Sequence, residues 1–226
     1  MKKKLINYNV PIDNIVKFIQ KNDLVLDIDG NELILPLDEL TEEVTKNIPI
    51  PSVTIKNDAF IEMMYLVQSE NREIAWHGLV NHIESVNTYV ITEILMYPQI
   101  AKTSTVDADE DRYTQWIIDN QEVLNHMRMQ GHSHVNMPVF PSGVDDKYYR
   151  DMIENQVEDY YIFLIVNKSW DIYVRFYDVK NNIVYDQLPI SIHTRDDITS
   201  FKEWDKIKKE CIKEEPKKKC IKQLQI

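Results

Sequence analysis

The stretch GHSHVNMPVFPSGVDD, residues 131–146, decides how the rest of the chain is read. The residues before it predict a strand, and in a strand side chains two apart project from the same face. His132 and His134 therefore converge. Asp145 follows after a loop, and a carboxylate added to two imidazoles makes the three-ligand set of a catalytic zinc site, its fourth tetrahedral position left for water. Ser142 and Asp145 also fit a capping box, in which a Ser at the N-cap and an acid three residues on satisfy free amides at a helix start. The two readings of this turn are compatible.

Working upstream, REIAWHGLVN at residues 72–81 predicts a strand in which Glu73, Ala75, His77 and Leu79 share one face. His77 reads there as a structural histidine. SVTIK at 52–56 predicts a second strand, followed by a helix capped by Asn57 or Asp58 and running to Ser69. Ala59, Met63, Leu66 and Val67 give that helix an apolar stripe. SVNTYVITEILMYPQ at 85–99 is a long β-rich segment expected to pair with the Glu73 strand. A core helix over 112–127 is expected to present Tyr113, Trp116, Ile117, Leu124 and Met127 on one side.

Downstream of the histidines, a helix capped by Ser142 is expected to run to Glu158. YYIFLIVNK and WDIYVRFYDV are strands around a tight turn at 167–169, and NIVYDQLPISI extends the sheet. Strands alternating with helices, some strands linked as hairpins, predict an α/β fold with a mixed β-sheet flanked by helices.

The spacing His-Ser-His, seven residues, Ser142, two residues, Asp145 resembles the JAMM (MPN-plus, JAB domain) zinc metalloprotease family in its prokaryotic or viral type branch. Four fixed positions across fourteen residues make the match specific. The family is similar in placing a Glu at the start of a strand a few residues before a Gly, and Glu73 with Gly78 matches that. Ala75 and Trp76 stand where a Gly usually follows the Glu, and Val135 where many members carry Pro. The resemblance covers about residues 52–190. It implies a curved mixed sheet flanked by helices, in a layout related to cytidine deaminases.

The same resemblance implies His132, His134 and Asp145 as ligands of Zn2+, Glu73 as general base and then acid, and Ser142 as a hydrogen-bond donor to the tetrahedral oxyanion. The implied substrate is a peptide or isopeptide bond after the extended C-terminal tail of a ubiquitin-like or other protein. A base is required because even a zinc-activated water must lose a proton. Readings from other classes are a noncatalytic MPN scaffold or a latent enzyme needing a partner, though such scaffolds usually lack ligands. A zinc deaminase would require H-x-E with P-C-x-x-C, and the chain has neither. The DNA-repair-associated branch usually continues His-Asn-His-Pro-Ser-Gly, from which Ser133 and Val135 depart.

The 226 residues suit one main domain, 52–190, with appendages. Residues 1–50 predict an extension with a short helix over 11–20 and a β-hairpin turning at Asp29-Gly30. Residues 197–226 predict a charged helical tail, helical over 200–214 with Phe201, Trp204, Ile207, Lys208 and Cys211 on one stripe. The hairpin and the tail are the candidate partner-binding elements. The formal net charge of -11 leaves an acidic body, which argues against general nucleic-acid binding. No apolar run reaches the ~18 residues of a membrane span, so a cytoplasmic protein is expected.

Cys211 and Cys220 read as incidental thiols, with a disulfide between them left open. Only four glycines occur where average usage would give about sixteen. Gly30 suits the hairpin; Gly78, Gly131 and Gly143 are expected to admit backbone or substrate at the metal residues.

Overall fold

The computed structural model describes residues 2–5, 47–154, 158–193 and 202–214. After β1 (Lys2–Leu5) comes β2 (Ser52–Lys56), whose Val53 and Ile55 alternate inward. α1 (Asn57–Ser69) buries Ala59, Met63, Leu66 and Val67, the stripe that its spacing predicts. Each large apolar side chain so buried contributes about 1.5–3 kcal/mol. Asn57 is already helical and no side chain caps this end, so the expected cap is replaced by the extended residue Lys56.

β3 (Ala75–Ile83) and β4 (Thr88–Met96) form the expected antiparallel pair. Two short strands, β5 (Gln99–Ala101) and β6 (Val106–Ala108), lead into α2 (Glu110–Asp119). The helix expected to reach Met127 stops early. Asn120 bonds back to the Trp116 carbonyl at 2.8 Å, a 3₁₀ turn covers Gln121–His126, and Met127 opens the next strand opposite Leu79. A side-chain amide that competes for backbone carbonyls ends helices in this way.

β7 (Met127–Ser133) and α3 (Gly143–Glu154) carry the quoted stretch. The sheet continues through β8 (Tyr160–Val166), β9 (Ile172–Asp178), β10 (Ile183–Asp186) and β11 (Ile190–His193). Asn167 makes the predicted β8–β9 turn, its Oδ1 accepting the Ser169 and Asp171 amides at 3.0 Å each. α4 (Lys202–Cys211) passes directly into β12 (Ile212–Glu214).

The nine-stranded sheet has the order β1-β10-β9-β8-β7-β3-β4-β2-β11, and β12-β5-β6 form a small second sheet. β7/β8, β2/β4 and β2/β11 are parallel, and the other pairs in the large sheet are antiparallel. This is an α/β fold with a large mixed sheet between helices. On one face Met129, Ile162, Leu164, Val166, Val174 and Phe176 join α1 in the main core. On the other, Tyr161, Phe163 and Tyr177 pack under Tyr149 and Ile153 of α3. By alternation His132 lies on the α3 face, at the end of β7 where the parallel β7–α3–β8 crossover begins. Carboxyl ends of parallel strands are where α/β sheets place their sites.

Two glycine expectations are corrected. A Cβ on Gly131 would stand 2.4 Å from the Trp76 indole Nε1, and one on Gly78 would stand 2.3 Å from the Met129 methyl. Both glycines therefore make room for core side chains. Gly143 alone of the three faces open space.

The C-terminal segment is also different from a free tail. Its helix ends at Cys211 because Ile212–Glu214 pair in parallel with β5. Lys213 pairs with Asp109, and Arg112 donates to the Glu210 carbonyl. Cys211 is buried in the main core, its Sγ 3.8 Å from the Met96 carbonyl. At the other end, Lys2–Leu5 pairs with β10 as an edge strand. The predicted Asp29-Gly30 hairpin, the helix over 11–20 and Cys220 lie outside the described residues. Among the described residues no helix is long and apolar enough to cross a membrane.

Candidate metal centre

The three residues that the sequence singles out meet. One ligand atom from each of His132, His134 and Asp145 lies within 4.8 Å of the others. His132 Nε2 is 3.4 Å from Asp145 Oδ1, and His134 Nε2 is 3.8 Å from Asp145 Oδ2. Two ligands held tetrahedrally at about 2.1 Å from one ion stand roughly 3.4 Å apart, so this spacing suits a single small divalent ion. His132 Nε2 is also buried with no hydrogen-bond partner. Buried polar atoms rarely go unsatisfied, and a metal would satisfy this one. The group can hold a metal ion.

Local structure aims each ligand. His134 Nδ1–H donates to the Pro138 carbonyl at 2.7 Å, which leaves the Nε2 lone pair facing Asp145. The His134 amide is tied to the Val166 carbonyl of β8 at 2.8 Å. The chain then turns at Val135, which has φ 46°, a left-handed conformation costly for a β-branched residue. Lys168 N–H donates to the Val135 carbonyl at 2.7 Å, and buried Asn167 donates to the Met137 carbonyl at 3.0 Å, so the strained loop is fixed from the β8–β9 turn.

Asp145 is held by the capping box. Its Oδ2 accepts the Ser142 amide at 2.7 Å, while its own amide donates to Ser142 Oγ at 3.2 Å. The next residue, Asp146, meets Arg175 of β9 at 2.6 Å, and the same guanidinium reaches Asp186 of β10 at 3.0 Å. The first turn of α3 is thereby fastened to the sheet. Burial alone would raise the Asp145 pKa, but a hydrogen bond from protonated His134, the neighbouring His132 ring and the Ser142 bonds outweigh it and hold the carboxyl well below its usual range. Burial pushes His132 down to about 4, so it is a neutral donor at pH 7. Burial opposes charge on His134 too, but Asp145, the Pro138 carbonyl and Glu73 raise its pKa overall.

Glu73 lies just before β3, on the face of Ala75, which is the register partner of His132. It is only 4% exposed. Burial lifts its carboxyl to about 7; His134 pulls down and Asp145 pushes up, which sets Glu73 within electrostatic reach of both. Glu70, the other carboxylate just before this strand, is taken up by Arg72 at 2.9 Å. Ser142 is exposed beside Asp145. His77, on the Glu73 face, bonds Tyr113 Oη at 2.7 Å and stacks on Trp116 and Tyr97, so it is a packed structural histidine that seats α2.

Sequence reasoning missed Arg175, Asn167 and Gln99, the last of which bonds Ala75 and Tyr97 through its side chain. Arg175 and Asn167 sit in strand and turn stretches with no motif of their own, and only the fold brings them to the loop and helix start. For Gln99 a faint signal exists: a polar side chain straight after a Pro at the end of a β run.

No family model matches the chain, and no curated protein matches it. Solved structures do, among them the solution structure of protein DSY2949 from Desulfitobacterium hafniense. It is 14% identical, with a TM-score of 0.44 over 63% of this chain and 94% of that one.

Proposed function

We propose that this chain is a zinc-dependent metallopeptidase of the JAMM type, hydrolysing a peptide or isopeptide bond after the extended tail of a ubiquitin-like or other protein. The observation that carries the reading is the convergence of His132, His134 and Asp145, with the buried Glu73 carboxyl, pushed up to about 7 by burial, in electrostatic reach of it. A base poised near the working pH is what proton transfer to and from a reacting centre favours. Zinc, when bound, would supply Lewis acidity and lower the pKa of its water.

The chain's own residues do the rest. Glu73 takes the proton of the attacking water on a carboxylate oxygen and returns it to the leaving nitrogen. Ser142 Oγ accepts the Asp145 amide, and its hydroxyl hydrogen is free to donate to the developing oxyanion of the substrate. His132, neutral and dry, and Asp145, held ionised, keep the donor set in its binding form. Met137, Phe140, Val144 and Tyr148, from the loop and helix start between and after His134 and Asp145, are exposed apolar side chains that an extended substrate chain could use.

The test is cleavage of a panel of ubiquitin-like fusion proteins by zinc-loaded chain and by Glu73→Gln. Cleavage that falls at least about a hundredfold in the variant is expected. Equal cleavage by both would remove Glu73 from the mechanism. Zinc binding without cleavage of any fusion would favour a scaffold or a partner-dependent enzyme.

A further inference from the structure

β4 ends at Met96, the register partner of Trp76, so the next residue of β3, Ala75, has lost its neighbour on that edge. The ladder stops there, and Pro98, two residues past Met96, has no N–H to resume it. Gln99 fills the gap with its side chain. Its Oε1 accepts the Ala75 amide at 2.8 Å, and its Nε2 donates to the Ala75 carbonyl at 2.8 Å and to the Tyr97 carbonyl at 2.9 Å. One amide thus does what an opposing peptide does in an antiparallel hydrogen-bonded pair, accepting one bond and donating the other.

Gln99 has no exposed surface. Burying an amide is favourable only when its bonds are made; two of the three here fall on Ala75, two residues from Glu73, and the third falls on the Tyr97 carbonyl. Other bonds hold the two residues before Ala75. The Glu73 amide donates to the Lys102 carbonyl at 2.8 Å, just past the end of β5, and Ile74 exchanges bonds with Ser133. β5 itself is gripped on its two edges by β6 and by β12 of the C-terminal segment.

We propose that Gln99 is the positioning residue of Glu73: its amide clamps Ala75 and so fixes the carboxylate relative to His132, His134 and Asp145. This rests on the metallopeptidase reading for its catalytic consequence, but the clamp itself does not.

The experiment uses the full chain with Gln99→Met, which keeps the volume and loses every bond, and Gln99→Glu, which keeps an acceptor for the Ala75 amide and loses both donors. The first readout is hydrogen exchange at the Ala75 amide against the Val174 amide in β9. Exchange at Ala75 at least about tenfold faster in Gln99→Met, smaller in Gln99→Glu, with Val174 unchanged, is expected. The second readout is the visible absorption of the cobalt-substituted chain. The Gln99→Met spectrum is expected to shift toward that of Glu73→Gln while cobalt affinity stays within about twofold. Unchanged Ala75 exchange overturns the clamp. Faster exchange with a wild-type cobalt spectrum overturns the positioning role and leaves Gln99 a structural strut. A wild-type chain that gives no cobalt spectrum fails the metal reading instead, with the exchange result still deciding the clamp.

Discussion

Asp145 divides its oxygens: Oδ2 takes the Ser142 amide of the capping box and stands 3.8 Å from His134 Nε2, while Oδ1 faces His132. That division lets a helix cap and a candidate metal ligand coincide in one residue. Glu73 shows the opposite economy, since burial that raises its pKa from near 4.5 to about 7 also weakens the fold. The neutral form is the one the folded chain favours, so stability is lost as pH rises from the unfolded value through about 7. Glu73→Gln should therefore stabilise the metal-free chain at pH 8, by about 3 kcal/mol at most, with the gain fading toward pH 4.5. Urea unfolding at the two pH values measures it. If Glu73 is the base of the proposed hydrolysis, the same shift would place the acid limb of turnover at or below about pH 7, because a bound cation draws the carboxyl down from its metal-free value. At the glycines, Gly131→Ala should cost about 1–3 kcal/mol by driving a methyl into the Trp76 indole, whereas Gly143→Ala should change stability by less than about 0.5 kcal/mol. Thermal unfolding of both variants separates the core-packing glycine from the open one.

Among the elements, periodicity made most strands and α1 legible, because their apolar residues repeat at intervals that only one secondary structure buries. The ligand set was legible for a related reason: alternation in β7 and a capping box at α3 are both local. What was illegible depends on distant partners. Nothing near Asp146 announces that Arg175, almost thirty residues on, will fasten the first turn of α3 to β9 and β10. Nothing in the charged C-terminal stretch announces that Ile212–Glu214 will find β5. Asn120 ended α2 by a side-chain bond that periodicity does not see. Val135 turns left-handed beside His134, a conformation closed to Pro, whose φ is fixed near -65°. The loop thus leaves the histidines by a path that a Pro at this position would not permit. If Arg175 holds the helix start in place for Asp145, Arg175→Ala should weaken zinc affinity by about tenfold to a hundredfold with the three ligands intact. Competition with a chromogenic chelator measures that change.

For the molecule as a whole, the sheet brings together residues from both ends of the described chain. β1 closes one side against β10, and the C-terminal segment covers β5 and buries Cys211. Release of that segment should be readable at the thiol. In a Cys220→Ser background, Lys213→Glu sets a carboxylate against buried Asp109 and should speed Cys211 modification by a thiol reagent at least about tenfold. The central claim is that all this scaffolding serves one metal. The most direct measurement is an equilibrium zinc titration of the full chain beside Asp145→Asn and His132→Ala. One zinc per chain, with affinity lost by at least about a hundredfold in each variant, is the predicted result. No stoichiometric zinc in the metal-replete wild type, or binding untouched by both substitutions, would contradict it.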